Sequence, residues 1–125
     1  MWIEYQPNPV KNGRAGDCAV RAGAKALDID WETAYAKLTT NGFLMGDLPN
    51  ANYVIGSVLR ENGFIRKSIP DECPECFTVE DFCYEYPNGI YVVFSQDHVA
   101  TVIDGNLYDA WDSRSSIPQF YWELN

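Results

Sequence analysis

The chain has 125 residues, 46% of them apolar, with four Trp, eight Tyr and six Phe. That is enough apolar surface for one packed domain and excludes a disordered chain. Nine basic residues against eighteen acidic leave a net charge of −9, a field that repels phosphate backbones and argues against nucleic-acid partners. Arg14 and Arg21 lie near each other in sequence but are too few for a nucleic-acid surface.

No run of residues approaches the roughly 18 apolar positions of a membrane helix. The opening Met1-Trp-Ile-Glu-Tyr-Gln-Pro lacks the basic stretch of a secretory signal. A cytoplasmic protein with no membrane partner is therefore expected. No repeat, linker or low-complexity tract divides residues 1–125, which read as a single domain.

Residues 1 to 16 are rich in Pro, Asn and Gly and predict loop. Asp17 is a suitable N-cap for an alanine-rich helix from Cys18 to Leu27, whose small side chains permit close packing on a sheet. Asp30 can cap a second helix, with Trp31, Ala34, Tyr35 and Leu38 on one face and Asn41-Gly42 as its stop. A third helix is expected from about Asn50 to Asn62, turning inward Val54, Ile55, Val58 and Leu59, with Gly63 as its C-terminal signal. Thr78-Val-Glu-Asp81 matches a capping box, with Asp in place of the preferred Glu, and opens a short fourth helix to about Tyr86.

Then the period changes. Ile90 to Ser95 and His98 to Ile103 are β-branched and aromatic, Asp104-Gly105-Asn106 is a hairpin turn, and strands are expected at Leu107 to Trp111 and Gln119 to Glu123. Helices first and an antiparallel sheet second define an α+β fold.

Four cysteines in a reducing cytosol are expected as thiols. Cys73-Pro-Glu-Cys76 has the spacing of half a zinc site, and Cys83 could add a third ligand, but nothing obvious supplies a fourth. No cofactor or metal is implied.

Cys18 stands at a helix start, where the helix dipole lowers a thiol pKa, and the single histidine, His98, leads a strand. Either alone reads more simply as a packed residue. Together they can form a nucleophile and base pair, in which the histidine needs a polar partner on its other ring nitrogen. The hairpin places His98 opposite Trp111 or Ser113, so Asp112 lies within one residue of that pair. Asp109 shares the face of His98 but sits further along the strand, and Asp112 is preferred. For the oxyanion, Asn12 in the preceding loop joins the Cys18 amide, with Gln6 as the weaker candidate.

The order of loop amide, Cys at a helix start, His leading a hairpin and a carboxylate on the return strand resembles the papain-like cysteine peptidases. That family carries an amide six residues before its cysteine, the place of Asn12, and an Asn-Ser pair after the histidine hairpin, the place of Asp112-Ser113. Across nearly the whole chain, Asn8-Pro9, Gly16-Asp17-Cys18-Ala-Val-Arg-Ala22 and Tyr108-Asp-Ala-Trp-Asp-Ser113 are similar to small papain-like proteins of bacteria and their phages. Ala19 replaces the family's usual Trp after the nucleophile, and Trp111 precedes the acid instead of following it. The acid is Asp, as in the C39-like branches.

The resemblance implies a papain-like fold with N-terminal helices on a C-terminal antiparallel sheet. It implies hydrolysis of peptide or isopeptide bonds in a peptide or protein substrate by Cys18, His98, Asp112 and Asn12. The alternative is a catalytically idle binding or regulatory protein on the same fold, with Trp2, Tyr5, Tyr121 and Trp122 as a partner surface.

Overall fold

The computed structural model describes residues 1–69 and 77–125. Cys73 and Cys76 lie outside the described residues, so the zinc alternative is not addressed there. Four helices and a six-stranded mixed sheet make an α+β fold among the described residues. In chain order the elements are β1 (Trp2–Glu4), α1 (Cys18–Leu27), α2 (Trp31–Met45), α3 (Asn52–Glu61), β2 (Phe64–Ser68), α4 (Val79–Glu85), β3 (Ile90–Ser95), β4 (His98–Ile103), β5 (Asn106–Asp109) and β6 (Pro118–Leu124). The sheet order is β1-β5-β4-β3-β6-β2. No helix among the described residues is long and apolar enough to cross a membrane.

Strand alternation sorts the core into two apolar layers. Val92 and Phe94 of β3 pack with Trp122 and Val99 against α1 and α3, while Tyr91 and Val93 pack with Tyr121 against Phe82 of α4. The alanines of α1 let it lie close enough for the Thr101 hydroxyl of β4 to donate to Ala22 O at 2.8 Å. At Asp104 and Gly105, φ values of 49° and 78° give the primed two-residue turn that joins β4 to β5. Thr78 and Asp81 form the expected capping box reciprocally.

Two strands depart from the expected order. Trp2–Glu4, expected as loop, pairs parallel to β5, with Trp2 opposite Leu107 and Glu4 opposite Asp109. Three residues carry no readable period, and this strand exists through its remote partner. In β2, which pairs antiparallel to β6, only Phe64 is buried, so alternation is absent. Its Arg66 and Lys67 put charge on a sheet edge, which discourages pairing with a second chain.

The second helix runs past Asn41-Gly42 to Met45 and is closed by Gly46 at φ 70°. Gly42 is instead a point of close approach: a Cβ there would meet Asp47 O at 2.8 Å. Asn41 reaches across to Ser57 and Glu61 of α3. Gly56 plays a similar part against the sheet, where a Cβ would lie 2.8 Å from the buried Trp122 ring. Gly56→Ala is therefore expected to destabilise despite its better helix propensity. Overpacking costs about 1–3 kcal/mol against a propensity gain of about 1, and a lowered urea midpoint at unchanged slope is the check.

Trp2 and Tyr5 are half-buried, and Tyr121 and Trp122 are buried at 5% and 4% exposure, so these four do not form an open partner surface. The large apolar side chains that are exposed include Phe43, Leu44, Leu48 and Tyr53.

Candidate functional site

Cys18 opens α1, and its half-buried side chain lines a cavity of about 420 Å³ together with His98, Ser95, Asn50, Asn52 and Gln119. His98 is placed by a tight turn: Ser95 pairs with His98, leaving Gln96 and Asp97 as the two-residue connection, with Asp97 at φ 56°. Sequence reasoning brought these two residues together, and they do share the cavity.

Asp109, not Asp112, is the acid on the histidine. Its Oδ2 lies 2.6 Å from His98 Nε2, which leaves Nδ1 as the nitrogen available to Cys18. Asp109 is 2% exposed and also accepts from Ser113 Oγ at 2.5 Å, from Arg21 Nη2 at 3.2 Å and from the Ala110 amide at 2.8 Å. The reason is geometric. Extending the observed β4–β5 register puts His98 opposite Trp111, so Asp109 is its diagonal neighbour on the same face, whereas Asp112 follows the end of β5 and turns outward. Asp112 is exposed and holds the Arg114 guanidinium through two bonds of 2.8 Å. Trp111 lies against the His98 ring, centroids 4.8 Å apart.

Asn12 is likewise outside the Cys18 cavity. Its side chain accepts from the Arg14 amide at 3.0 Å, the local turn bond that short Asn side chains favour. Gln6 is spent the same way on the Asn8 amide at 3.1 Å. The carboxamides that do line the cavity belong to Asn50, Asn52, Gln96 and Gln119. The first-turn amides of α1 also have no partner within the helix and point towards its N-terminus.

Asp17 takes the expected N-cap position of α1, its carbonyl accepting from the Arg21 amide at 2.9 Å, but its side chain does not cap. Its backbone sits at φ −103°, ψ 23°. The carboxylate instead takes Arg21 Nη1, Trp31 Nε1 at 3.0 Å and Asn8 Nδ2 at 3.4 Å. Arg21 thus bridges two buried carboxylates, Asp17 and Asp109, and only its Nε is left without a partner. Sequence reasoning missed this support. The signal was a charged residue on the packed face of an alanine-rich helix, four residues after an aspartate.

The electrostatics follow from these contacts. Burial alone would raise the Cys18 thiol, but hydrogen bonding from His98 and the Val99 amide, with the charges of His98 and Arg21, holds it below its ordinary value. Burial would lower His98, yet its bonds to Asp109 and Cys18 and their charges push it up to about 9. Asp109 is held low against its burial by His98 and Ser113. The set favours a thiolate beside an imidazolium.

No protein-family model, curated protein or solved structure matches this chain.

Proposed function

We propose that the protein is a papain-like thiol hydrolase that cleaves peptide or isopeptide bonds by acyl transfer. The observation that carries this reading is that Cys18 and His98 line one cavity while buried Asp109 holds the far nitrogen of the histidine at 2.6 Å. The Cys18 thiolate attacks the carbonyl carbon, and the C=O electron pair moves to oxygen, where helix-end amides and a cavity carboxamide can stabilise it. As the tetrahedral adduct collapses, the C–N bond breaks and His98 delivers its Nδ1 proton to the departing amine. His98 then takes a proton from water, whose oxygen attacks the thioester. Cys18 leaves as thiolate, and the ion pair is restored. Asp109 holds the ring on Nε2 throughout and needs no proton of its own.

The pH dependence has a definite sign. Because His98 is raised, its imidazolium persists until pH passes about 9; because Cys18 is lowered, its thiolate survives below the ordinary thiol range. Hydrolysis is expected to plateau between these limits, with the alkaline limb near pH 9. Iodoacetamide labelling mapped by mass spectrometry should select Cys18 over Cys73, Cys76 and Cys83 at pH 6–7, and His98→Ala should abolish that selectivity. Equal, slow labelling of all four thiols would refute the reading. Selective labelling with no cleavage across a diverse peptide set would favour an idle, binding version of the fold.

A further inference from the structure

A second cavity of about 410 Å³ adjoins the first, with Ala19 and Asn50 as their common wall. It is lined chiefly by carbon: Val10, Val20, Trp31, Tyr35 and Pro49. Several of the polar groups around it already have partners. Trp31 Nε1 and Asn8 Nδ2 both donate to Asp17. Asn8 Oδ1 accepts from the Val10 amide at 3.0 Å, and Asn12 Oδ1 accepts from the Arg14 amide. A polar group entering here would surrender water and gain few partners, whereas an apolar one loses nothing.

We propose that this cavity receives the side chain of a bulky apolar residue, branched aliphatic or aromatic, lying next to the bond cut at Cys18. The proposal rests on the thiol hydrolase reading and adds its substrate class. Continuity supports it: a chain whose carbonyl reaches Cys18 needs only to pass the Ala19–Asn50 ridge for its neighbouring side chain to enter. Charge supports it too. Asp17 at the cavity wall and the net charge of −9 disfavour an acidic side chain. The volume lies at the low end of small-molecule sites, about 300–1,000 Å³, which suits a large side chain better than a cofactor.

The test uses the full chain and N-acetyl-aminoacyl chloromethyl ketones, in which Cys18 Sγ forms a bond to the methylene carbon and chloride leaves. Rates for leucyl, phenylalanyl, alanyl and aspartyl reagents are read by intact mass, each divided by the iodoacetamide rate of the same protein to correct for thiol reactivity. Leucyl and phenylalanyl reagents should exceed alanyl by about tenfold or more, the discrimination expected of an apolar pocket for extra methylenes, and aspartyl should be slowest. Ala15→Phe, which fills the cavity from its loop side, should bring the leucyl-to-alanyl ratio to about one. Tyr35→Ala, at a half-exposed wall, should instead extend the preference to a naphthylalanyl reagent. An unchanged ratio in both folded variants, or no preference in the wild type with fast iodoacetamide labelling, would overturn the pocket and leave the hydrolase reading intact. Slow, unselective iodoacetamide labelling would overturn both.

Discussion

Asp109→Asn should cut hydrolysis by up to about 10⁴-fold, the loss seen when the acid of a Ser–His–Asp triad becomes its amide, while Asp112→Asn stays within about twofold of wild type. The amide keeps the shape of Asp109 but loses the charge that holds His98 up to about 9. It can also present N–H where Nε2–H expects an acceptor, favouring the wrong tautomer. The alkaline limb of the pH profile should then move to lower pH, because His98 loses its proton more easily. Iodoacetamide labelling of Cys18 at pH 6 should slow as well, since the thiol loses part of the imidazolium that stabilises its anion. Arg21 still has Asp17 in this variant, so the fold should survive, as circular dichroism would show. Asp112 serves Arg114 at the surface and touches neither ring nor thiol. Equal losses in the two variants would refute the assignment of Asp109.

Arg21→Met is expected to be the most damaging single change to stability. It leaves Asp17 and Asp109, at 6% and 2% exposure, with no cation between them. Removing one partner from a buried ion network costs about 3–5 kcal/mol, a large share of a small domain's total. Arg21→Lys keeps the charge but not the two-pronged geometry, so it should fall between wild type and Met. Adding Asp17→Asn to Arg21→Met should recover part of the loss, giving a non-additive cycle in urea unfolding. A fully additive cycle would mean that Arg21 matters only through its packed methylenes.

Much of the site was legible because its chemistry is local. A thiol at a helix start and a solitary histidine at a strand start are one-dimensional signals, and both residues line the same cavity. Capping at Thr78 and the turn at Asp104-Gly105 were legible for the same reason. What failed was decided by distant partners. The choice of acid depended on where β5 ends, and that end is fixed by Arg21 from α1, by Ser113, and by Trp2 donating to Asp109 O at 3.1 Å. Asn12 was misplaced because its own loop claims its carboxamide before any substrate can. Asp17 does sit at the N-cap, but sequence spacing cannot show that Arg21, Trp31 and Asn8 claim its carboxylate before the helix amides can. Gly42 looked like a stop because a glycine needed for contact and one needed for a turn read alike.

That last residue has a reach beyond its helix. The chain from Asp47 to Pro49 rests against the bare face of Gly42; Pro49 lines the apolar cavity, and the next residue, Asn50, lines both it and the thiol's cavity. A single methyl at position 42 would press on the backbone of Asp47 to Pro49, and so on the wall of the apolar cavity from behind. If the proposed roles of the two cavities hold, the wall between them is thus backed by a residue that lines neither, and selectivity would be open to change while Cys18, His98 and Asp109 stay as they are.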